Sequence, residues 1–240
     1  MNSNTFTRPC AWIDMKHIEM AFGLWLLTVG LVAQNAFDAQ GRRTGSWSAK
    51  HPNGQPRYEG QFEAGVPVGR FTYYHENGFR SAQMDYRGRS GVCMSEQYDE
   101  KGKLMARGKY TASRQRDSIW VTFAFDGSML EHAPYRTDTL HGAYTMFYPD
   151  GKVMERGTYV NGRKQGAWTR FSDAGTKERT SNFVDGRLQG SWAEFDADGR
   201  VAVSGSYVND LRQGKWTYFD RGTVVRTEVY RRGVLQKPKS

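Results

Sequence analysis

Short runs of alternating apolar and polar residues follow one another along the chain, and each run ends at a glycine or another turn-forming residue. Alternation with a period of two is typical of a β-strand with one buried face. The glycines that end every second run are separated by 24, 24, 25, 24, 24, 24 and 23 residues: Gly54, Gly78, Gly102, Gly127, Gly151, Gly175, Gly199 and Gly222. A fixed period of this length indicates a repeat architecture. The pattern therefore predicts about eight consecutive hairpins.

Two kinds of turn are predicted in each unit. Most of the periodic glycines follow Asn or Asp, as Gly54 follows Asn53 and Gly151 follows Asp150. Asn-Gly and Asp-Gly favour tight primed turns, because both residues tolerate a positive φ. A second set of turn residues falls half a period later: Gly65, Gly88, Asp138, Gly162, Gly186, Asp210 and Gly233. Each unit is thus predicted to run strand, tight turn, strand and looser turn.

Aromatic residues take a fixed place in the first strand of most units: Trp47, Phe71, Trp120, Tyr144, Trp168, Trp192 and Trp216. A glycine stands two residues before most of them, and in the second strand a small residue stands two before an aromatic, as Gly157 precedes Tyr159. Residues two apart share a strand face. A ring can cover the backbone that a neighbouring glycine leaves bare. We predict that a row of rings over glycines forms the core.

A single unit is too small to fold alone. Burying one large side chain contributes about 1.5–3 kcal/mol, whereas ordering each residue costs about 1.5 kcal/mol. Stacked units share their buried faces, as in other one-dimensional repeat arrays.

The unit from Gly142 to Gly162, with Tyr144, Phe147, Asp150-Gly151 and Tyr159, resembles a MORN repeat. It is most similar to the bacterial variant found in the YwqK-type antitoxin family. The resemblance covers residues 42–235, but residues 91–138 depart from it. There Cys93 and Ser118 replace the leading glycine, and Ser95 replaces the ring. The resemblance implies roles in membrane attachment, dimerisation and protein scaffolding.

The predicted fold class is all-β: an elongated single antiparallel sheet of about eight consecutive 24-residue hairpins of the MORN type. Residues 1–39 are interpreted as a leader, 42–235 as the repeat array and 236–240 as a tail.

The predicted leader contains an uncharged apolar run of 14 residues, Met20 to Ala33, preceded by Lys16. Spanning a bilayer as a helix takes about 20 residues, whereas this length is typical of a signal-peptide core. We therefore expect an exported protein, periplasmic or secreted, translated from Met15 and cleaved between Ala33 and Ala39. A buried capping helix and an uncleaved anchor are the alternatives.

The charge balance favours anionic partners. The net charge is +9, and the sequence pI is about 9.6. Because the Lys and Arg residues are scattered and form no long basic block, nucleic acid is not favoured as a partner. Anionic lipid or glycan remains an alternative to a protein partner. The two cysteines, Cys10 and Cys93, are too few for a disulfide framework.

No pattern predicts catalysis, a cofactor or a metal site. His51 and His75 stand one repeat apart, but their place in other units holds unrelated residues. Cys93 is interpreted as a small substitute for glycine. The chain is therefore predicted to be non-enzymatic.

An open sheet has a second face, and its aromatic residues are the predicted interaction face: Tyr148, Phe171, Phe195 and Phe219. The preferred function is a protein-interaction or scaffold module. The alternatives are an envelope module for anionic lipid or glycan, and an antitoxin-like neutralising protein, which export disfavours. Exposed terminal strands could also pair edge to edge and give homo-oligomers.

Overall fold

The computed structural model describes residues 34–237. The apolar run from Met20 to Ala33 lies outside this range. Every regular element within it is a β-strand: β1 (Ala36–Phe37), β2 (Arg43–Lys50), β3 (Pro56–Glu63), β4 (Val66–Tyr74), β5 (Arg80–Tyr86), β6 (Cys93–Tyr98), β7 (Leu104–Tyr110), β8 (Arg116–Phe123), β9 (Met129–Arg136), β10 (Thr139–Leu140), β11 (Gly142–Phe147), β12 (Val153–Val160), β13 (Arg163–Phe171), β14 (Lys177–Val184), β15 (Arg187–Phe195), β16 (Val201–Val208), β17 (Leu211–Asp220), β18 (Thr223–Arg231) and β19 (Val234–Leu235). Within residues 34–237 no helix has the length and hydropathy that crossing a membrane requires.

The chain forms two compact units. Among the described residues, the first unit comprises 34–102 and 110–114, and the second comprises 103–109 and 115–237. In the first unit, β1 to β6 pair in chain order, each antiparallel to the next. In the second unit, β9 pairs with β8, β10 and β11, and β11 to β19 again pair in chain order. The prediction of an all-β chain of consecutive antiparallel hairpins is confirmed.

In most units the two predicted turn types are exchanged. At Asn53-Gly54 only the glycine has a positive φ, of 85°, and the amide of His51 donates to the carbonyl of Gln55 at 2.8 Å. This is a longer loop that closes on a left-handed glycine. At Asn161-Gly162 both φ values are positive, 49° and 78°. The tight primed turns therefore lie at the second position in most units, where two residues join paired strands directly. The exceptions are the longer second loops at residues 87–92 and 111–115, and Arg221-Gly222, where a primed turn stands at the first position.

The leading glycines have a different role from the one predicted. Gly45, Gly69, Gly142, Gly166, Gly190 and Gly214 all have a positive φ. At Gly166 the ladder between β12 and β13 shifts register, which identifies a β-bulge. Glycine is favoured there because the left-handed backbone strains other residues. Ser118 takes the same place with a φ of 62°.

The predicted row of rings over glycines is present, and the covered glycines are those of the preceding second strands. A Cβ atom added to Gly60, Gly108, Gly157 or Gly205 would overlap the ring of Phe71, Trp120, Trp168 or Trp216, respectively. As a result Trp168 is 1% exposed and Trp216 is fully buried. Trp192 has Ser181 in the glycine's place and is only half-buried. A ring therefore packs closely on the backbone only where the residue beneath it is a glycine, which has no side chain.

In the unit that departs from the repeat, the large and the small residue of the ring–glycine pair exchange places. Ser95 stands where other units have a ring and pairs with Met84, which stands where others have a glycine. Both residues are buried, Met84 completely and Ser95 to 99%. The methionine side chain thus occupies the space that a ring would fill from the opposite strand.

Candidate interaction surface

The ladder pairings assign each side chain of β11 to β18 to one of two faces. The ring face carries Tyr144, Trp168, Trp192 and Trp216. The opposite face carries, at the centre of the sheet, one row of mostly small residues that pair successively across the strands: Thr169, Thr180, Ala193, Ser204, Thr217 and Thr227.

Cationic side chains cover the ring face. Nζ of Lys164 lies 3.7 Å from the centre of the Trp168 ring, and the Arg212 guanidinium lies 4.3 Å from that of Trp216. Such cation–π contacts contribute about 0.5–2 kcal/mol each. Lys164 also forms an ion pair with Glu155, with N and O 3.2 Å apart. The buried tryptophans therefore form the core and do not present their faces to a ligand.

A polar network ends the ring face at the last hairpin. Glu228 pairs with Trp216, in the place where most earlier units have Gly, Ala or Ser. Its carboxylate accepts hydrogen bonds from the hydroxyls of Tyr218 at 2.7 Å and Tyr230 at 2.9 Å. These bonds hold the pKa of Glu228 below its usual value. The row of rings over small residues therefore stops in a charged, hydrogen-bonded cap.

Three of the four predicted interaction residues occupy equivalent places. Phe171, Phe195 and Phe219 lie on the opposite face, each half-buried beside the hairpin loop. Tyr148 does not join them, because it begins the loop and its hydroxyl donates to the carbonyl of Phe171 at 2.8 Å. The equivalent residue is Phe147, whose ring meets the ring of His132 edge to face at 5.3 Å. The spacing from Tyr144 identifies Phe147, since each phenylalanine stands three residues after its ring-face aromatic.

Sequence reasoning missed a second apolar row on the opposite face. Val160, Val184 and Val208 are 38%, 47% and 41% exposed, and they pair with Arg163, Arg187 and Leu211 across the primed turns. We call these six residues the valine–arginine row. Its sequence signal is an aliphatic residue placed directly before a turn and repeated every 24 residues.

The opposite face of β11 to β18 is strongly basic. It carries six exposed cationic residues, none of which belongs to an ion pair within residues 34–237: Arg156, Arg163, Lys177, Arg187, Lys215 and Arg231. No ladder-paired position on this face of these strands is Asp or Glu. The only strand carboxylate near it, Glu178, accepts from Arg170 of the ring face at 3.0 Å.

The corresponding face of the first unit is different. There Glu59, Asp85 and Glu96 hold ladder positions among polar residues. Arg70 pairs with Asp85, with N and O 2.7 Å apart. Acidic and basic residues therefore share this face of the first unit, whereas the ladder positions on the opposite face of β11 to β18 include basic residues but no acidic ones.

His51 and His75, which stand one repeat apart, each form a hydrogen bond to the next hairpin loop. Nε2 of His51 donates to the carbonyl of Tyr74, and Nε2 of His75 to that of Tyr98, both at 3.0 Å. The side chain of Asn53 makes a similar bond to the next loop. Residues 34–237 contain no cluster of three or more His, Cys, Asp or Glu that could hold a metal ion. Cys93 is buried, with its sulfur 3.5 Å from that of Met84.

Two segments of the chain, residues 43–64 and 140–161, match the family model described as MORN repeat variant. No curated protein matches the chain. One solved structure similar to it is a porin-like protein from Bacteroides uniformis, at 9% identity and a TM-score of 0.18 over 79% of this chain and 91% of that one. A similarity this low carries no argument about fold or function. The chain therefore contains two segments that match MORN repeats, and the hairpins around them follow the same pattern.

Proposed function

We propose that this chain is a non-catalytic interaction module that holds a protein partner on the opposite face of β11 to β18. The observation that carries the proposal is the repeated, exposed combination of apolar rows and uncompensated cations on that face. Folded chains rarely leave contiguous apolar surface exposed without a use. Aromatic and arginine side chains are enriched at protein interfaces.

The repeat architecture supports an extended contact. Equivalent residues recur on every second strand, about 9.6 Å apart, so one partner can make the same contact several times. A linear array gains contact area in this way without a deep pocket. The buried ring face supplies the rigidity, because its rings interlock with the backbone of neighbouring strands.

Site-specific crosslinking tests the proposal. Ser191 and Glu194 are both exposed on β15 but lie on the opposite face and the ring face, respectively. A photoreactive amino acid at position 191 of the full chain, in the cells that make it, should crosslink to one protein. The same group at position 194 should not. Equal crosslinking from the two positions, or none from position 191, would contradict the proposal.

A second candidate is binding to an anionic lipid or glycan surface, which the unpaired cations of the opposite face favour. In this case the full chain should sediment with vesicles containing anionic lipid, or with peptidoglycan, and added salt should release it. Sedimentation that salt does not weaken would rule out an electrostatic contact of this kind.

We also propose that the protein acts outside the cytoplasm, on the basis of the apolar run from Met20 to Ala33 after Lys16. Cell fractionation with N-terminal sequencing of the mature chain tests this. A mature N-terminus between residues 33 and 39 in an extracytoplasmic fraction is expected. A cytoplasmic protein that retains the run would refute it.

A further inference from the structure

The valine–arginine row crosses six successive strands, β12 to β17. Within it Val160 pairs with Arg163, Val184 with Arg187 and Val208 with Leu211. Neighbouring strands lie about 4.8 Å apart, so each valine is about 9.6 Å from the next. The row therefore presents an exposed aliphatic group every 9.6 Å or so, with a cationic side chain beside each of the first two.

This repeat distance fits an α-helix laid across the strands. Seven helical residues rise about 10.5 Å, within about 1 Å of the distance between valines. Over three valines the mismatch is only about 2 Å. An extended peptide fits poorly, because its side chains repeat on one face every 6.6 Å or so. A helix with an apolar residue at every seventh position thus contacts all three valines.

The charge of the partner follows from the cations. Arg163 and Arg187 are exposed and form no ion pair within residues 34–237, and no strand carboxylate of β11 to β18 shares their face. Two turn carboxylates lie nearby: that of Asp185 forms no ion pair with Arg187, and that of Asp210 accepts a hydrogen bond from the amide of Leu188 at 2.7 Å. Carboxylates three or four residues after each apolar position of the helix would reach these guanidinium groups.

We propose that the valine–arginine row docks an acidic amphipathic α-helix of the partner, with apolar residues seven apart and carboxylates between them. This proposal rests on the proposed function and specifies its partner. The valines supply the apolar contact, and the two arginines fix the direction and register of the helix, since charge complementarity acts mainly on specificity and association rate.

A designed peptide tests the proposal. The probe is a 21-residue helix (about three heptads, about 32 Å long) with leucine at every seventh position, glutamate three and four positions after each leucine and alanine elsewhere. The peptide is labelled, and binding to the full chain is followed by fluorescence anisotropy at low and high salt. The control peptide has the same composition but leucines five positions apart. The heptad peptide should bind more tightly, and salt should weaken it.

Matched variants locate the contact. The double charge reversal Arg163→Glu and Arg187→Glu should weaken the heptad peptide at least tenfold, which is about 1.4 kcal/mol. The control Arg200→Glu with Arg221→Glu makes the same change in net charge at hairpin loops and should leave binding within twofold. Circular dichroism checks that both variants keep the wild-type strand content.

Three outcomes overturn the inference: equal binding of the two peptides, unchanged binding by the Arg163/Arg187 variant, or loss of vesicle sedimentation by that variant without any peptide binding. The last result would assign the row to a membrane surface. If the peptide fails while crosslinking from position 191 still captures one protein, the helix proposal fails and the proposed function stands.

Discussion

Trp216 lies over Gly205 of the preceding strand so closely that a methyl group on the glycine would overlap the indole ring. The same relationship joins Trp168 to Gly157 and Phe71 to Gly60. In each case the ring belongs to the next hairpin, so the contact joins successive units and not the two strands of one. This explains how units too small to fold alone become stable: each buries its ring in its neighbour.

Replacing Gly205 by alanine should destabilise the protein by about 1–3 kcal/mol, the usual cost of overpacking a close contact. The ring of Trp216 must move to admit the methyl group. Chemical denaturation followed by tryptophan fluorescence measures the loss. Ser206→Ala, one residue along the same strand and exposed, is the control and should change the free energy of unfolding by less than about 0.5 kcal/mol. A Gly205→Ala protein as stable as the wild type would refute the packing model.

Replacing Ser118 by glycine should stabilise the protein by about 1 kcal/mol. Ser118 has a φ of 62°, in the region that costs a residue with a side chain roughly 1–2 kcal/mol. Glycine removes this strain at the cost of a more flexible unfolded chain. The control Ser191→Gly, at a strand position without a positive φ, should destabilise by about 0.5–1 kcal/mol. Thermal unfolding of the two variants should therefore shift in opposite directions.

A double-mutant cycle tests the exchange of partners at Met84 and Ser95. Met84→Gly alone leaves a cavity and should cost about 2–5 kcal/mol. Ser95→Phe alone overpacks the site and should also destabilise. Together they recreate the ring over glycine of other units, so the double variant should be more stable than the sum of the single effects by at least about 1 kcal/mol. Additive effects would show that the two positions do not share one space.

The cap at Glu228 predicts a pH dependence. Hydrogen bonds from Tyr218 and then Tyr230 lower the pKa of Glu228 from 4.5. A carboxyl with a lowered folded-state pKa contributes stability that is complete above its unfolded pKa and is lost as the pH falls through the folded value. Glu228→Gln should therefore lower Tm at neutral pH and make Tm fall less steeply below about pH 4.5.

Removing the donors should have the same effect as removing the acceptor. The double variant Tyr218→Phe with Tyr230→Phe keeps the carboxylate but deletes both hydrogen bonds. Its Tm should also depend less on pH below about 4.5. A slope as steep as that of the wild type in both variants would place the titrating group elsewhere.

The sequence predicted most of the fold because its signals are local and repeated. Turn glycines every two dozen residues and fixed aromatic places identify hairpins without knowledge of distant contacts. The turn types were predicted wrongly because one dipeptide is compatible with two loops. Asn53-Gly54 and Asn161-Gly162 look alike in sequence, and the register of the flanking strands decides between them.

The candidate surface was only partly predictable. Strand alternation places Phe171, Phe195 and Phe219 on one face, and the same three-residue spacing after the ring-face aromatic selects Phe147, so the prediction of Tyr148 was wrong. The valine–arginine row was missed because isolated valines before turns have no distinctive pattern until the strands are aligned. The net charge of +9 does not reveal the positive charge of this row, because the register of the strands decides which face each acidic or basic residue occupies.

By itself the sequence determined the number of hairpins, their period and the places of the rings, because a period of two along a strand and a glycine at a turn are consequences of backbone geometry alone. Only the tertiary structure decided which glycine each ring covers, where the Met84 side chain fills the space of a ring, and which cations have no carboxylate on their face of the sheet. These relationships join residues of different strands, and β-bulges set the register between those strands, so they exist only once the hairpins are packed side by side.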